Sequence, residues 1–197
     1  MTAQKPAPVW QQWQIAPATF FLSWCGLTLA WVAVVWAQQP YWPLAVAHSV
    51  GGAICLAASI IDWRSHILPD VLTIYGGLLT LLACIAADMS PEFNVGSLSE
   101  SWWEPTSGAL AGFILVKGLQ RALRHKHGGQ EQLGSGDAKL MLPLGATVGP
   151  LGVLPLVIVA CLLVAILAMV RRASQIPFGP ALTAAGLLVI VTDLRWP

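Results

Sequence analysis

The chain has 197 residues and a formal net charge of +1; 10% of the residues are Asp, Glu, Lys or Arg, and 56% are apolar. Soluble domains average roughly 25% charged residues, so a soluble protein of this size would have too few charges to cover its surface. The near-zero net charge also excludes the basic footprint of a nucleic-acid-binding protein, and we expect an integral membrane protein surrounded by lipid.

Segments without acidic or basic residues predict the membrane-spanning helices in chain order. The first such segment, residues 6–61, is too long for one helix, and the polar segment 38–43 divides it. Residues 140–170 would extend about 46 Å as one helix, against a bilayer core of roughly 30 Å, and Gly149-Pro150 interrupts them. The predicted spans are 16–37, 44–61, 71–87, 106–123, 138–149, 151–170 and 178–193.

This pattern predicts an all-α, polytopic transmembrane bundle of about seven spans. Residues 1–15 are expected to form a short cytoplasmic N-terminal segment, and residues 16–194 the membrane domain. Segment 138–149 is short for a full crossing and is either re-entrant or located in a thinned bilayer. Seven crossings with a cytoplasmic N-terminus satisfy the positive-inside rule. They place these basic residues on the cytoplasmic side: Lys5, Arg64, Arg121, Arg124, Lys126, Arg171 and Arg172.

Two carboxylates, Asp62 at the end of the second span and Asp137 at the start of the fifth, are predicted at the cytoplasmic membrane face. Ionisable residues at membrane depth are costly and are functional candidates by default. Two carboxylates at one site of low dielectric constant cannot both ionise easily, so the ionised member can activate a water while the protonated member polarises a peptide carbonyl. The structural alternative is that Asp137 caps its helix and that Asp62 pairs with Arg64 or Lys139.

Three short segments, taken together and in this order, form a specific sequence pattern. They are Asp62-x6-Pro69-Asp70 before an apolar helix, Gly134-Ser135-Gly136-Asp137 with Lys139 two residues on, and Ile176-Pro177-Phe178-Gly179-Pro180 at the start of the last span. In this order the segments resemble those of the type IV prepilin peptidases, which are polytopic bacterial aspartyl proteases of the GxGD group. The resemblance covers roughly residues 17–190.

The resemblance implies that Asp62 and Asp137 are the catalytic pair. It also implies that Gly134 and Gly136 shape the turn that presents Asp137, because glycine permits a tight turn and a close approach of substrate backbone. The family fold is the same membrane-embedded helical bundle that the composition predicts.

The resemblance implies supporting roles for further residues. Asp70, which follows Pro69, is expected to cap a helix or shape a loop rather than act as the base. Lys139 either stabilises the ionised Asp137 or neighbouring backbone, or is an interfacial lysine whose charged end reaches water. The last segment is a helix entry that gates substrate or, alternatively, a structural turn; it comprises Pro177, Phe178, Gly179 and Pro180.

The implied reaction is hydrolysis of the short leader of a type IV prepilin or pseudopilin, after a glycine and just before the apolar helix of the substrate. The implied partner is that substrate helix, the implied location is the bacterial inner membrane, and neither a cofactor nor a metal is implied. Many members of the family carry an N-terminal insert with paired CxxC motifs, which is linked to methylation of the new N-terminus. About 15 residues precede the first predicted span here and no CxxC occurs, so the resemblance implies cleavage and assigns no methyl-donor site.

Two other classes of protein stay open at this stage. A small transporter or channel could use intramembrane carboxylates for proton coupling, and it would place them nearer the bilayer centre, with repeat symmetry between the halves. The sequence has no such symmetry, and both aspartates map to an edge of the membrane. A peptidase-like protein could also escort pilin subunits without cleaving them, and the intact pair of acids argues against that reading.

Overall fold

The computed structural model describes residues 17–38, 42–88, 103–126, 134–171 and 177–192, and the predicted N-terminal segment 1–15 lies outside them. Every regular element in those ranges is helical, which confirms the predicted all-α class. The helices are α1 Pro17–Gln38, α2 Trp42–Ser65, α3 Gly76–Asp88, α4 Trp103–Lys126, α5 Ser135–Arg171 and α6 Phe178–Thr192. One π-helical turn, Val71–Tyr75, leads directly into α3.

The length and hydropathy of the helices are those of a multi-pass membrane protein. Within the described ranges, three helices are long and apolar enough to cross a bilayer: Ala18–Ala37, Trp42–Ser65 and Ser135–Val170. Val71–Ala87 and α6 are shorter apolar helices. Large apolar side chains are exposed on the outside of the bundle, as a lipid environment requires, and they include Leu22, Leu29, Leu82, Ile114, Leu162 and Met169.

α5 contains the reversal that the sequence predicts at Gly149-Pro150. Gly149 has φ 69° and ψ 174°, which interrupts the helix. A straight helix would separate Leu144 from Leu156 by about 18 Å. Instead, a Cβ placed on Gly186 of α6 would lie 2.7 Å from Leu144 Cδ2 and 3.4 Å from Leu156 Cδ1. The chain therefore turns back at Gly149, and the two halves of α5 pack side by side against α6, as predicted.

A buried histidine supports this reversal. The carbonyl of Thr147 lies in the last turn before Gly149, where helix carbonyls lack their usual N–H partners. His48 of α2 is 1% exposed, and its Nε2 lies 3.2 Å from the Thr147 carbonyl oxygen. Because the acceptor is a carbonyl, Nε2 carries the proton and donates it. The hydrogen bond joins α2 to the end of the first half of α5.

α5 is the centre of the bundle and packs against α2, α3, α4 and α6. One apolar core forms around it from side chains of α2, α4, α5 and α6, including Ala58, Val116, Leu140, Met141, Leu144, Leu156 and Leu182. α4 and α5 approach closely at Gly108 and Gly145, where a Cβ on either residue would overlap the backbone of the other. Small residues allow such close contacts between membrane helices, which pack without a hydrophobic driving force.

Candidate active site

The predicted site residues come together at one end of the bundle. α2 ends there, α5 and α6 begin there, and residues 66–70 connect α2 to the π-helical turn. α4 also ends there, since Gln120 Nε2 in its last turns donates a hydrogen bond to the Gly134 carbonyl just before α5. The topology therefore brings segments that are far apart in sequence to one place.

Asp62 lies in the last turn of α2 and is 6% exposed. The helix ends because His66 adopts a left-handed conformation with φ 54°, and its N–H donates to the Asp62 carbonyl oxygen at 2.9 Å. Helices usually form this ending with glycine, and histidine is one of the residues that tolerate it. Pro69 then begins the next turn, where its carbonyl accepts the N–H of Leu72 at 3.0 Å. The chain thus leaves α2 just after Asp62 and keeps that side chain at the end of the bundle.

The Asp62 carboxylate binds the start of α6. The backbone N–H of Gly179 donates to Asp62 Oδ2, with a nitrogen–oxygen distance of 3.2 Å. Gly179 is the second residue of α6, where backbone N–H groups have no partner within the helix and the helix dipole favours negative charge. A Cβ on Gly179 would lie 2.6 Å from Asp62 Oδ2, so glycine is needed for this approach.

The residues around Gly179 form the helix entry. Pro177 precedes α6 and Phe178 opens it, with the Phe178 side chain packed against the apolar core. Pro180 lies in the first turn, where the missing N–H of proline breaks no helix hydrogen bond. The segment 177–180 therefore holds the N-terminus of α6 against Asp62.

Asp137 lies in the first turn of α5 and is 5% exposed. Its N–H donates to the Gly134 carbonyl oxygen at 3.2 Å, and its carboxylate accepts the backbone N–H of Gly134. An acidic side chain at the third helical position that reaches back in this way is half of a capping box. A Cβ on Gly136 would lie 2.6 Å from Leu68 Cβ, so glycine there lets segment 66–70 approach the start of α5. Asp137 therefore caps the start of α5, which is the predicted structural alternative, and its carboxyl group also interacts with that of Asp62.

Asp62 and Asp137 are the two buried acidic residues among those that the structure describes, and their carboxyl groups interact electrostatically. His66 also interacts electrostatically with Asp62. Two interacting negative charges in a medium of low dielectric constant repel each other, which favours a state in which the pair holds one proton. In the described ranges, no group of three or more His, Cys, Asp or Glu side chains is arranged to hold a metal ion. The arrangement is that of a carboxylate pair that can activate a water.

Lys139 forms an ion pair with Asp70 at the same end of the bundle as Asp62 and Asp137. Lys139 is 27% exposed and Asp70 is 64% exposed, so the ion pair faces the end of the bundle. Asp70 stands at the N-cap position of the π-helical turn, and within the described chain its side chain caps no backbone N–H of that turn. The ion pair joins the segment after α2 to the first turn of α5. The sequence predicts that Lys139 pairs with Asp62 or Asp137, whereas in the structure it pairs with Asp70.

Two buried hydroxyl residues, Ser59 and Thr183, lie one turn deeper than this site and were not predicted from the sequence. Ser59 Oγ donates to Thr183 Oγ1 at 2.6 Å, and Thr183 Oγ1 donates to the Cys55 carbonyl oxygen at 3.4 Å. The only sequence signal is their spacing, three residues before Asp62 and four residues after Gly179. They form a second link between α2 and α6.

Comparisons with known proteins identify the family to which the sequence is related. The model of the type IV leader peptidase family matches residues 49–169, a range that includes Asp62 and Asp137. The chain is 33% identical over 171 residues to a type 4 prepilin-like proteins leader peptide-processing enzyme of Escherichia coli, covering 84% of this chain and 57% of that protein.

Further relatives are named prepilin leader peptidase/N-methyltransferase. One from Xanthomonas campestris is 34% identical over 158 residues, covering 70% of this chain and 48% of that protein. One from Aeromonas hydrophila is 32% identical over 179 residues, covering 84% of this chain and 56% of that protein. The chain spans about half the length of the curated relatives it matches. No solved structure matches it.

Proposed function

The chain belongs to the type IV leader peptidase family, and we propose from this premise that it is an aspartic endopeptidase that removes the leader of prepilins or pseudopilins, with Asp62 and Asp137 as its catalytic pair. The observation that carries the proposal is the meeting of two buried aspartates, from α2 and α5, at one end of a membrane bundle. Family membership alone would not say which carboxylates act. The burial and the proximity of this pair support that choice.

In the proposed reaction, a water held between the two carboxyl groups attacks the scissile carbonyl carbon. The ionised carboxylate accepts the proton of the water, and the protonated carboxyl group donates a hydrogen bond to the carbonyl oxygen. Collapse of the tetrahedral intermediate breaks the C–N bond, and a proton passes to the leaving amine, so the pair returns to one shared proton. The N–H of Gly179 occupies Asp62 Oδ2, which leaves Oδ1 for the water.

The supporting residues fit this role through their positions. Gly136 allows segment 66–70 to approach the start of α5, and Gly134 supplies the carbonyl that accepts the Asp137 N–H. The Asp70–Lys139 ion pair holds the segment after Asp62 against the start of α5. We assign these residues to the geometry of the site and not to proton transfer.

We further propose that the site faces the cytoplasm at the bacterial inner membrane. The end of the bundle that holds the aspartates also holds Arg64, Arg121 and Arg124, as the positive-inside rule requires. α1 runs antiparallel to α2, because Trp24 donates to the Ala53 carbonyl and Trp31 to the His48 carbonyl. α1 therefore begins at the same end, which supports a cytoplasmic N-terminal segment 1–15.

The test is co-expression of the full chain with a tagged prepilin-type substrate, with leader loss followed by gel shift and the new N-terminus identified by mass spectrometry. Asp62→Asn and Asp137→Asn should each abolish cleavage while the protein accumulates normally in the membrane. Glu104→Gln is the matched control, because it removes a carboxylate at the opposite end of the bundle, in the first turn of α4. Cleavage by either Asn variant at the wild-type rate would overturn the proposal.

Methyl transfer is tested in the same experiment. The names of several relatives include N-methyltransferase activity, and this sequence contains no CxxC motif. We assign no residue to methyl transfer, so the expected product has an unmodified N-terminus after the cleavage point. The added mass of one methyl group on that residue would contradict this expectation and leave the peptidase proposal intact.

A further inference from the structure

Below the proposed catalytic pair, α2 and α6 are joined by a buried hydroxyl bridge that consists of Ser59 and Thr183. Ser59 is 8% exposed and Thr183 is 2% exposed. Their oxygen–oxygen distance is 2.6 Å, and Thr183 Oγ1 lies 3.4 Å from the Cys55 carbonyl oxygen of α2. Water and lipid headgroups do not reach such a position, so the two hydroxyl groups depend on each other and on that carbonyl.

The hydroxyl bridge and the Asp62–Gly179 hydrogen bond follow one another on the same helix faces. Ser59 precedes Asp62 by three residues, and Thr183 follows Gly179 by four residues. Residues three and four apart lie above one another on a helix, roughly 5–6 Å apart. α2 and α6 are therefore joined by two hydrogen-bonded contacts about one helical turn apart. One is the Ser59–Thr183 bridge, and the other, nearer the end of the bundle, is the contact of Asp62 with Gly179.

The upper contact has little tolerance for movement. The distance from Gly179 N to Asp62 Oδ2 is 3.2 Å, which is already at the long end of the range for an N–H···O hydrogen bond. A movement of α6 that lengthens this distance by about half an ångström would take it beyond that range. A hydrogen bond between two side chains adds a directional constraint to the apolar packing and so defines one register.

We propose that Ser59 and Thr183 are positioning residues, which set the register of α6 on α2 so that the N-terminus of α6 holds the Asp62 carboxylate in its reactive place. This inference rests on the proposed peptidase function. Neither residue touches the substrate or the reacting atoms, and both act through Asp62. Thr183 is the more important of the two, because it takes part in both hydrogen bonds of the bridge, with Ser59 and with the Cys55 carbonyl.

The two substitutions that each remove one hydroxyl group differ in the hydrogen bonds that remain. In Ser59→Ala, Thr183 Oγ1 still donates to the Cys55 carbonyl, so one link between the helices survives. In Thr183→Val, Ser59 can turn its hydroxyl to the carbonyl four residues earlier, which is that of Cys55, and form a bond within α2. Thr183→Val thus removes every hydroxyl link between the helices without leaving a buried donor unpaired, so the register is lost while the fold is retained.

The experiment measures kcat and KM separately, with the purified full chain in nanodiscs and a synthetic prepilin peptide. We expect Thr183→Val to lower kcat roughly ten- to hundredfold, as expected for a displaced reacting group, with KM unchanged because substrate binding is not affected. Ser59→Ala should have the smaller effect, and Thr183→Ser, which keeps the hydroxyl group, should restore kcat. Thr80→Val is the matched control, because Thr80 is also buried and its hydroxyl donates to the Gly76 carbonyl of its own helix, with no hydrogen bond to another helix among the described residues.

A second readout needs no activity. Amide hydrogen exchange of the peptide that contains Gly179, followed by mass spectrometry, should be faster in Thr183→Val than in wild type or Thr80→Val. Wild-type kcat and wild-type exchange in Thr183→Val, or a greater loss in Ser59→Ala than in Thr183→Val, would overturn the positioning role. If the wild-type protein cleaves no prepilin but exchange at Gly179 still rises in Thr183→Val, the proposed function fails and the link between the two helix contacts holds.

Discussion

Replacing Gly179 with alanine perturbs the contact that places the Asp62 carboxylate. The added Cβ would lie 2.6 Å from Asp62 Oδ2, whereas ordinary van der Waals contact begins near 3.4 Å. The carboxylate must then move by about 0.8 Å, the difference between these two distances, and the hydrogen bond from the Gly179 N–H is lost. A displacement of this order in a reacting group lowers a rate by up to about a hundredfold. We expect kcat to fall roughly ten- to hundredfold.

The same substitution should leave the stability of the fold intact. The aspartate side chain can rotate away from the new methyl group, and alanine has a higher helix propensity than glycine. The assay compares kcat on a prepilin peptide with the thermal unfolding temperature in the same detergent. Gly118→Ala of α4 is the control, because Gly118 is exposed and no described atom lies within 4 Å of its added Cβ.

Two results would refute this reasoning. If Gly179→Ala cleaves at the wild-type rate, the contact between α6 and Asp62 does not control the reactive geometry. If activity falls together with a large drop in the unfolding temperature, the methyl group disturbs the packing of α6 and not the carboxylate alone. Gly118→Ala should keep both wild-type values, since its methyl group meets open space.

Three further predictions concern contacts around the site and in the core. Asp70→Asn should reduce cleavage far less than Asp62→Asn and lower stability by less than about 1 kcal/mol, because the ion pair with Lys139 is largely exposed; equal losses of initial rate in the two variants would contradict this. His48→Ala should destabilise the bundle by roughly 1–3 kcal/mol through the lost bond to the Thr147 carbonyl, with kcat per folded molecule unchanged; an unaltered unfolding temperature would contradict it. Gly145→Val should lower the folded yield in the membrane, measured by size-exclusion chromatography, because its side chain overlaps the Gly108 backbone; a normal yield would contradict it.

The helices were predictable from the sequence because their signal is local. A run of apolar residues without charges specifies a membrane helix wherever it occurs, so the predicted 44–61 and 71–87 correspond to segments of Trp42–Ser65 and Val71–Asp88. The reversal at Gly149 was predictable for a similar reason, since the length of residues 140–170 exceeds a bilayer and a glycine precedes a proline there. The assignment of Asp62 and Asp137 as the catalytic pair was also made from the sequence, through their motifs and their predicted depth, and it stays a prediction.

The partners of individual polar groups were not predictable in this way. Lys139 is two residues from Asp137 in sequence, yet its side chain binds Asp70, because the π-helical turn places the Asp70 carboxylate beside α5. The hydrogen bond from the Gly179 N–H to Asp62 depends on where α6 begins relative to the end of α2, and the hydrophobic periodicity of the sequence does not encode that distance.

Hydropathy and charge along the chain thus determined by themselves the all-α class and the position of the break in α5, because burial in lipid acts on each residue separately. The tertiary structure alone decided that the N-terminus of α6 binds Asp62, that Ser59 and Thr183 fasten the same two helices one turn deeper, and that Gly136 admits segment 66–70. Hydrogen bonds have a range of about 3 Å and a preferred direction, so they are defined only after helix packing has set the distances between chain segments.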